Sequence, residues 1–311
     1  MSEKSILVTG SNGFLGKSVK KELKNRGYTN VIASKGKKEC DFRNRKETQD
    51  FFEHHKPNSV IHLAATVGGI GANQANPGMF FYDNISMGIN LIDESYRHNV
   101  EKFVLIGTVC MYPNHTTVPF KESDLWTGYP EPTNAPYGIA KKALMEMLNA
   151  YRKQYGFNGI TLLPVNLYGP HDNFHPDNSH VIPALINKVY DAMTISPHKN
   201  VIVWGTGNAS REFLYADDCA KGILDGLEKY NQAEPLNLGT GQEIKIKDLI
   251  DKIANLMGFK GKILFDHDKP DGQMRRCLDI TNVRSALNFK ATTDFDEGLR
   301  ETIKWYMAQK R

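Results

Sequence analysis

Ile6-Leu7-Val8-Thr9-Gly10-Ser11-Asn12-Gly13-Phe14-Leu15-Gly16 decides how this chain folds. An apolar run reads as a strand and ends at Gly10. An amphipathic stretch from Phe14 to Asn25 follows, reads as a helix, and stops at Gly27. The three glycines have separate uses. Gly10 permits the tight turn, Gly13 lets a pyrophosphate approach the backbone, and Gly16 lets the helix pack closely on the sheet. The helix N-terminus then offers N–H donors and a partial positive charge to phosphates. A glycine triplet alone is weak evidence. Between a strand and a helix it has the context that dinucleotide binding requires. Gly10, Ser11, Asn12, Gly13, Phe14, Leu15 and Gly16 are therefore expected cofactor residues.

Outward from this loop the same alternation continues. Strands are expected at Ser5–Thr9, Asn30–Ser34, Ser59–Ala64, Lys102–Ile106 and Gly159–Pro164. Helices are expected at Arg45–His55, Met79–Asn99 and Tyr137–Tyr155. The pattern predicts an α/β protein with a Rossmann-type, doubly wound parallel sheet. The runs around Ile6, Val60 and Val104 are apolar throughout, as strands covered on both faces should be. Past Gly169 prolines intervene (Pro170, Pro176, Pro183, Pro197) and strands become isolated, at Val201–Trp204 and Lys262–Phe265. This predicts a smaller α/β substrate-binding lobe. Residues 1–170 would form the dinucleotide unit, rejoined by about 212–235 and the C-terminal helix Asp296–Met307, with 171–311 mostly substrate lobe.

Composition narrows the function. The chain has 311 residues, 40% hydrophobic and 24% charged, as in a soluble globular enzyme of about two domains. No apolar run reaches 18 residues and the first strand is too short for a secretory signal, so neither a membrane span nor export is expected. Lys and Arg total 39 against 35 acids, a net +4. That excess is too small to argue for nucleic acid and suits an anionic small molecule. Cys40, Cys110, Cys219 and Cys277 form no CxxC and read as free thiols of a reducing cytoplasm. His175 and His180 lack a completing carboxylate, so no metal is expected.

The second strand ends in Ala33-Ser34-Lys35-Gly36-Lys37-Lys38, with no acid before Glu39. NAD binders usually place an acid here for the ribose 2′-hydroxyl. A hydroxyl and three lysines suit a 2′-phosphate, so NADP(H) is the expected cofactor, held in part by Ser34 and Lys35. Asp41 is a candidate for the adenine edge.

Tyr137-Gly138-Ile139-Ala140-Lys141 is a YxxxK pair just after Pro136, which suits a helix start. Residues i and i+4 share a helix face, so the ammonium should lie beside the phenol and lower its pKa from ~10. Thr108, after the fourth strand, could hydrogen-bond a carbonyl oxygen beside Tyr137.

These parts together resemble the extended short-chain dehydrogenase/reductase family of nucleotide-sugar enzymes. The resemblance rests on TGxxGxxG, His62-Leu63-Ala64-Ala65, Thr108 and YxxxK. It is closer to the GDP-L-fucose synthase group through Val67-Gly68-Gly69-Ile70, the Cys110–Pro113 segment, Asn166-Leu167-Tyr168-Gly169-Pro170-His171-Asp172-Asn173-Phe174 and Ser179-His180-Val181-Ile182-Pro183. Trp204-Gly205-Thr206-Gly207, Arg211-Glu212-Phe213 and Lys269-Pro270-Asp271-Gly272 extend the match along nearly the whole chain.

The resemblance implies 3,5-epimerisation and 4-reduction of a GDP-linked 4-keto-6-deoxy sugar by NADPH. It implies Tyr137 as proton donor to the oxygen at carbon 4 and Lys141 as its electrostatic partner and ribose anchor. Thr108 stands where the family usually has Ser. Cys110 and His180 match the epimerisation acid/base pair. Leu63, Ala64, Ala65, Pro164, Asn166, Leu167 and His180 match cofactor-lining positions. Lys188, Trp204, Arg211 and Arg276 match the group that holds GDP, with Lys and Arg exchanged at the first and last. It further implies a homodimer built on Met79–Asn99 and Tyr137–Tyr155, whose apolar residues include Ile85, Met87, Ile89, Leu91, Leu144, Met145, Met147 and Leu148.

Two other readings compete. One is a C4-reductase that does not epimerise, for example on a heptose. The other is a non-catalytic dinucleotide sensor, which would have no need of Tyr137, Lys141, Cys110 and His180 together. The missing acid after the second strand predicts a higher kcat/KM with NADPH than with NADH. Steady-state rates with both nucleotides test this, and equal values would refute it.

Overall fold

A computed structural model of the chain describes residues 4–34, 36–176, 178–194, 200–269 and 271–310. Lys35, expected near the cofactor, and Pro270 lie outside the described residues. The first half runs β1 (Ile6–Thr9), α1 (Phe14–Asn25), β2 (Val31–Ala33), α2 (Arg45–His55), β3 (Ser59–His62), α3 (Ile70–Ala75), α4 (Pro77–Arg97), β4 (Lys102–Ile106), α5 (Ala135–Tyr155) and β5 (Gly159–Pro164). The rest runs β6 (Asn166–Tyr168), α6 (Val181–Thr194), β7 (Val201–Trp204), β8 (Ser210–Tyr215), α7 (Ala216–Lys229), β9 (Leu236–Leu238), β10 (Glu243–Lys245), α8 (Ile246–Met257), β11 (Ile263–Asp266), α9 (Thr281–Leu287) and α10 (Phe295–Gln309).

Six parallel strands form the main sheet in the order β2-β1-β3-β4-β5-β9. The chain moves one way from β1 to β2 and returns across β1 to β3. Right-handed connections then put α1 and α2 on opposite faces. Accordingly α1 packs with α7, while α4 packs with α2 and α5. The reversal leaves a crevice at the carboxyl ends of β1 and β3, where ligands of open α/β sheets bind. Alternate coverage explains why β1, β4 and β5 are buried along their whole length. α4 and α5 approach unusually closely at Gly88, where a Cβ would stand 2.2 Å from Leu144 Cδ1.

The remaining strands form two small sheets, β10-β8-β6 and the parallel pair β11-β7. They share a second core with Ile182, Ile186, Leu249, Ile253, Leu299 and Ile303. Helix α7 carries Cys219, Ile223 and Leu227 into the first core. The C-terminal helix, expected to rejoin the nucleotide unit, instead buries Leu299, Ile303 and Tyr306 in the second core. Its apolar stripe matches α6 and α8, and sequence periodicity carries no record of which core a stripe faces.

Candidate active site

At the end of β1 the backbone of Gly10 turns with φ of +67°, and a Cβ there would press on Ala64 N at 2.9 Å. A Cβ on Gly16 would lie 2.2 Å from Gly10 O. The first turn of α1 therefore rests directly on the loop. Gly13 precedes α1, no side chain caps this helix, and its first turn has no acid. Its leading amide donors are left for an anion. Asn12 and Gly13 are exposed, and Phe14 and Leu15 half-buried. Buried Ser11 donates its hydroxyl to Ser34 O at 2.9 Å, tying the loop to the end of β2. Thr9 Oγ1 accepts from Ala64 N at 3.1 Å, which places Leu63, Ala64 and Ala65 beside the loop. Pro164 closes β5, and Asn166 and Leu167 open β6. These features fit a dinucleotide: helix amides without a side-chain cap, beside a loop whose glycines bring backbone to the surface. Asp41 is bound by the Arg43 guanidinium at 2.9 Å, which holds its carboxyl below the usual carboxylate range.

β4 delivers Thr108, whose extended backbone begins the short turn Val109–Met111 and whose Oγ1 accepts from Cys110 N at 3.2 Å. Helix α5 starts at Ala135 with Pro136 in its first turn. Gly138 lets it touch that turn backbone to backbone, for a Cβ there would stand 2.2 Å from Cys110 O. This contact brings the Tyr137 phenol to the Thr108 hydroxyl and the Cys110 sulfur. Burial raises the phenol well above its ordinary range and the nearby Cys110 adds to the rise, while the Thr108 hydrogen bond opposes it.

The expected lowering of Tyr137 by Lys141 is thus corrected. Spacing puts the two residues one helical turn apart, but it does not supply the water that stabilises a phenolate. Lys141 is itself buried, which lowers its ammonium to about 8. Its charge acts instead on His62, fully buried and bonded through Nδ1 to Thr9 Oγ1 at 2.9 Å. Burial first, then Lys141, holds His62 well below the usual imidazole range, so it stays neutral.

Beyond Cys110 lies a cationic end. Arg276 is buried, donates Nε–H to Gln273 Oε1 at 3.2 Å, and places Nη1 3.9 Å from Cys110 Sγ. Arg211 donates to Ser210 O at 2.7 Å and Asp271 O at 3.1 Å. Burial and then the Arg276 charge lower Arg211 to about 10. Lys188 donates to Ile202 O at 2.8 Å. Its ammonium lies 5.6 Å from the ring centre of Trp204, with Lys269 at 5.5 Å. Trp204 is 57% exposed, an open aromatic face flanked by two cations.

His180 precedes α6 on a loop that packs against Gly69 through Gly69 N–H to Asn178 O, 3.2 Å. It is open to solvent, yet the protein crowded around its ring lowers its pKa by desolvation. Among the described residues, hydrogen bonds and charge contacts join Thr108, Cys110, Tyr137, Arg276 and Arg211, and leave His180, Lys188 and Trp204 outside that set. No group of three or more His, Cys, Asp or Glu among the described residues could hold a metal.

Sequence reading missed four residues that build this site: Gly138, Glu212, Asp271 and Gln273. Asp271 accepts from Thr206 N at 2.8 Å and Thr206 Oγ1 at 2.9 Å, so it fixes the carbonyl that Arg211 uses. Only Glu212 left a signal. It shares a strand face with Leu214, an acid where an inward position expects an apolar residue.

Comparison with known proteins agrees with this geometry. The sequence profile of the NAD dependent epimerase/dehydratase family matches residues 6–239. The chain is 40% identical to GDP-L-fucose synthase 1 of Arabidopsis thaliana over 309 residues, 99% of this chain and 95% of that one. It is 36% identical to GDP-L-fucose synthase of Escherichia coli K12, covering 99% of this chain and 98% of the other. A GDP-mannoheptose C4 reductase from Campylobacter jejuni, solved with NADP bound, superposes with a TM-score of 0.90 at 31% identity and 99% coverage of both chains.

Two outcomes follow from the cluster. Tyr137→Phe should slow carbonyl reduction ~10²–10⁴-fold and leave dinucleotide affinity unchanged by titration. A loss under ~10-fold would remove Tyr137 from the proton transfer. Lys141 is cationic below pH about 8 and neutral above it. kcat/KM should therefore fall as pH rises through that value, with the limb displaced to higher pH in Lys141→Arg.

Proposed function

The chain belongs to the NAD dependent epimerase/dehydratase family, and we propose that it is an NADPH-dependent 3,5-epimerase/4-reductase converting GDP-4-keto-6-deoxymannose to GDP-L-fucose. One observation carries the reading: Cys110 adjoins the Tyr137–Thr108 pair, so proton exchange beside a ketone and reduction of that ketone share one cleft. GDP-L-fucose synthases at 36% and 40% identity over nearly the full chain support it.

In this reading the Gly10–Gly16 loop, Ser11, Ser34, Lys35, Asp41, Leu63–Ala65, Pro164, Asn166 and Leu167 hold NADP(H), which supplies the hydride. Lys188, Trp204, Arg211 and Arg276 hold the GDP. The 4-ketone acidifies its two neighbouring carbons. Cys110 and His180 exchange protons there. The hydroxyls of Thr108 and Tyr137 stabilise the oxyanion as it develops. When hydride reaches carbon 4, Tyr137 gives its proton to the oxygen. A phenol with a raised pKa is fully protonated at neutral pH, as a donor must be. The phenolate left behind is the costly species; the Thr108 hydrogen bond, which acts against the rise, offsets part of that cost, and Lys141 anchors the ribose.

The dinucleotide unit comprises residues 1–170 with about 212–235, and the substrate lobe most of the remainder. The protein works in the cytoplasm, in keeping with four free cysteines. Among the described residues no helix is long and apolar enough to cross a membrane. It forms a homodimer through α4 and α5. Most of the surplus apolar residues on these helices belong to the chain's own core, including Met87, Leu91, Leu144, Met145 and Leu148. The exposed face is Met79, Phe81, Tyr82 and Ile89. Light scattering should give a dimer, and Ile89→Asp should favour the monomer. A wild-type monomer at every concentration contradicts the assembly.

The C4-reductase of the heptose type is the rival, favoured by the Campylobacter likeness. Incubation in deuterated water without NADPH separates the two. The epimerase should incorporate deuterium at both carbons flanking the ketone. Cys110→Ser should be strongly impaired, because a hydroxyl is far less acidic than a thiol. Given NADPH, that variant should still reduce the ketone slowly to an unepimerised product, read by NMR. No exchange in the wild-type protein would leave only the reductase. Exchange at the wild-type rate in Cys110→Ser would reduce Cys110 to packing.

A further inference from the structure

We propose that Arg276 is a positioning residue for Cys110: its guanidinium is the counter-charge for the thiolate that Cys110 carries during proton exchange. The proposal rests on the epimerase/reductase reading and deepens it, giving Arg276 a task beyond contact with the GDP.

Nη1 of Arg276 stands 3.9 Å from Cys110 Sγ. The residue is held there at its side chain and at its backbone. Its Nε–H is taken by Gln273 Oε1 at 3.2 Å, and Gln273 is anchored through Nε2–H to Asn114 O at 2.9 Å. Its own carbonyl accepts from Glu212 N at 3.1 Å. Arg276 is buried, and among the described residues no carboxylate forms an ion pair with it, whereas its exposed neighbour Arg275 pairs with Glu243. Its charge bears on Arg211, where it is one of the causes that lower that guanidinium. A buried, uncompensated guanidinium is costly. Of the groups among the described residues to which its guanidinium hydrogen-bonds, Gln273 and Cys110, the Cys110 sulfur can take up negative charge.

The chemistry balances without Arg276 exchanging a proton. The thiolate takes a proton from a carbon flanking the ketone, and the C–H electron pair moves into the enolate. The sulfur becomes a thiol. Proton delivery to the other face of that carbon by His180 restores the ketone inverted, and the Cys110 thiol then releases its proton to solvent while His180 takes one up. Arginine stays protonated throughout, so its contribution is electrostatic. A fixed cation 3.9 Å away favours the anionic sulfur.

Alkylation by iodoacetamide tests this without substrate, because only the thiolate is the nucleophile. Cys110 is the one partly accessible cysteine, and Cys40, Cys219 and Cys277 are buried, so mass mapping isolates its rate. At pH 7.5, Arg276→Met should lower the Cys110 rate at least ~10-fold. Arg276→Lys should restore most of it, and Arg275→Met should behave as wild type. At saturating substrate, Arg276→Met should slow deuterium exchange by a similar factor. Wild-type alkylation in a folded Arg276→Met protein overturns the proposal and leaves Arg276 a substrate clamp. Should that variant not fold, Gln273→Met decides. It frees the guanidinium without removing it, should slow alkylation ~3-fold or more, and overturns the proposal if it does not. Failure of the parent reading shows separately, as absent deuterium exchange in the wild-type protein.

Discussion

One buried carboxylate, Glu212, fixes how the two parts of the cleft meet. Its Oε1 accepts the amides of Thr240 and Gly241 in the turn after β9, and its Oε2 accepts Leu278 N at 2.7 Å. Its backbone carbonyl accepts from Asn166 Nδ2 at 2.9 Å, and its N–H donates to Arg276 O at 3.1 Å. A single residue of β8 thus joins the main sheet, the start of β6 and the segment that bears Arg276. Burial pushes its carboxyl upward, and the backbone donors pull it back. The charge is tolerated because dipoles already fixed by the fold surround it. Space is cut to match, for a Cβ on Gly239 would lie 2.2 Å from Oε1.

The Tyr137 end depends on a constraint of the same kind. A reductase cluster needs a hydroxyl from a strand end and a phenol from a helix within bonding reach. Side chains usually keep a helix and a turn apart. Gly138 removes the obstacle and lets α5 lie on the Cys110 peptide. Tyr137, Thr108 and Cys110 then share one small volume as a result of helix packing.

What the sequence discloses follows the range of each interaction. α1, α2, β4, β5 and β7 have the bounds that periodicity and stop signals predict. The glycine loop, YxxxK and Thr108 were legible because each is a local spacing. β6, β8, β9 and β10 were not, since short strands carry little pattern and pair with partners far along the chain. Arg276 and Cys110 are 166 residues apart, and no local rule connects them. Helix α10 shows the same limit: its stripe was visible, but not the core it enters. The direction of the Tyr137 shift was misjudged for a different reason. Spacing reports proximity, whereas a pKa also reports lost water, and around Tyr137 and Lys141 the lost water dominates.

Those losses give the cleft its electrostatic character. Lys141 near 8, Arg211 near 10 and Arg276, which has no ion pair among the described residues, are cations held where water does not reach them well. Carboxylates placed beside them would make the folded chain more stable. In the proposed reaction they would also cancel the field that a diphosphate and a developing enolate need. Anions arriving with the proposed substrate would supply the missing charge, so binding would relieve a strain that folding imposed. Part of the chain's stability is the price of that arrangement, as expected where function requires preorganised charge. The neutral state of His62 belongs to the same balance. A second positive charge beneath Lys141 would drive the lysine toward its neutral form, and burial of the imidazole prevents it.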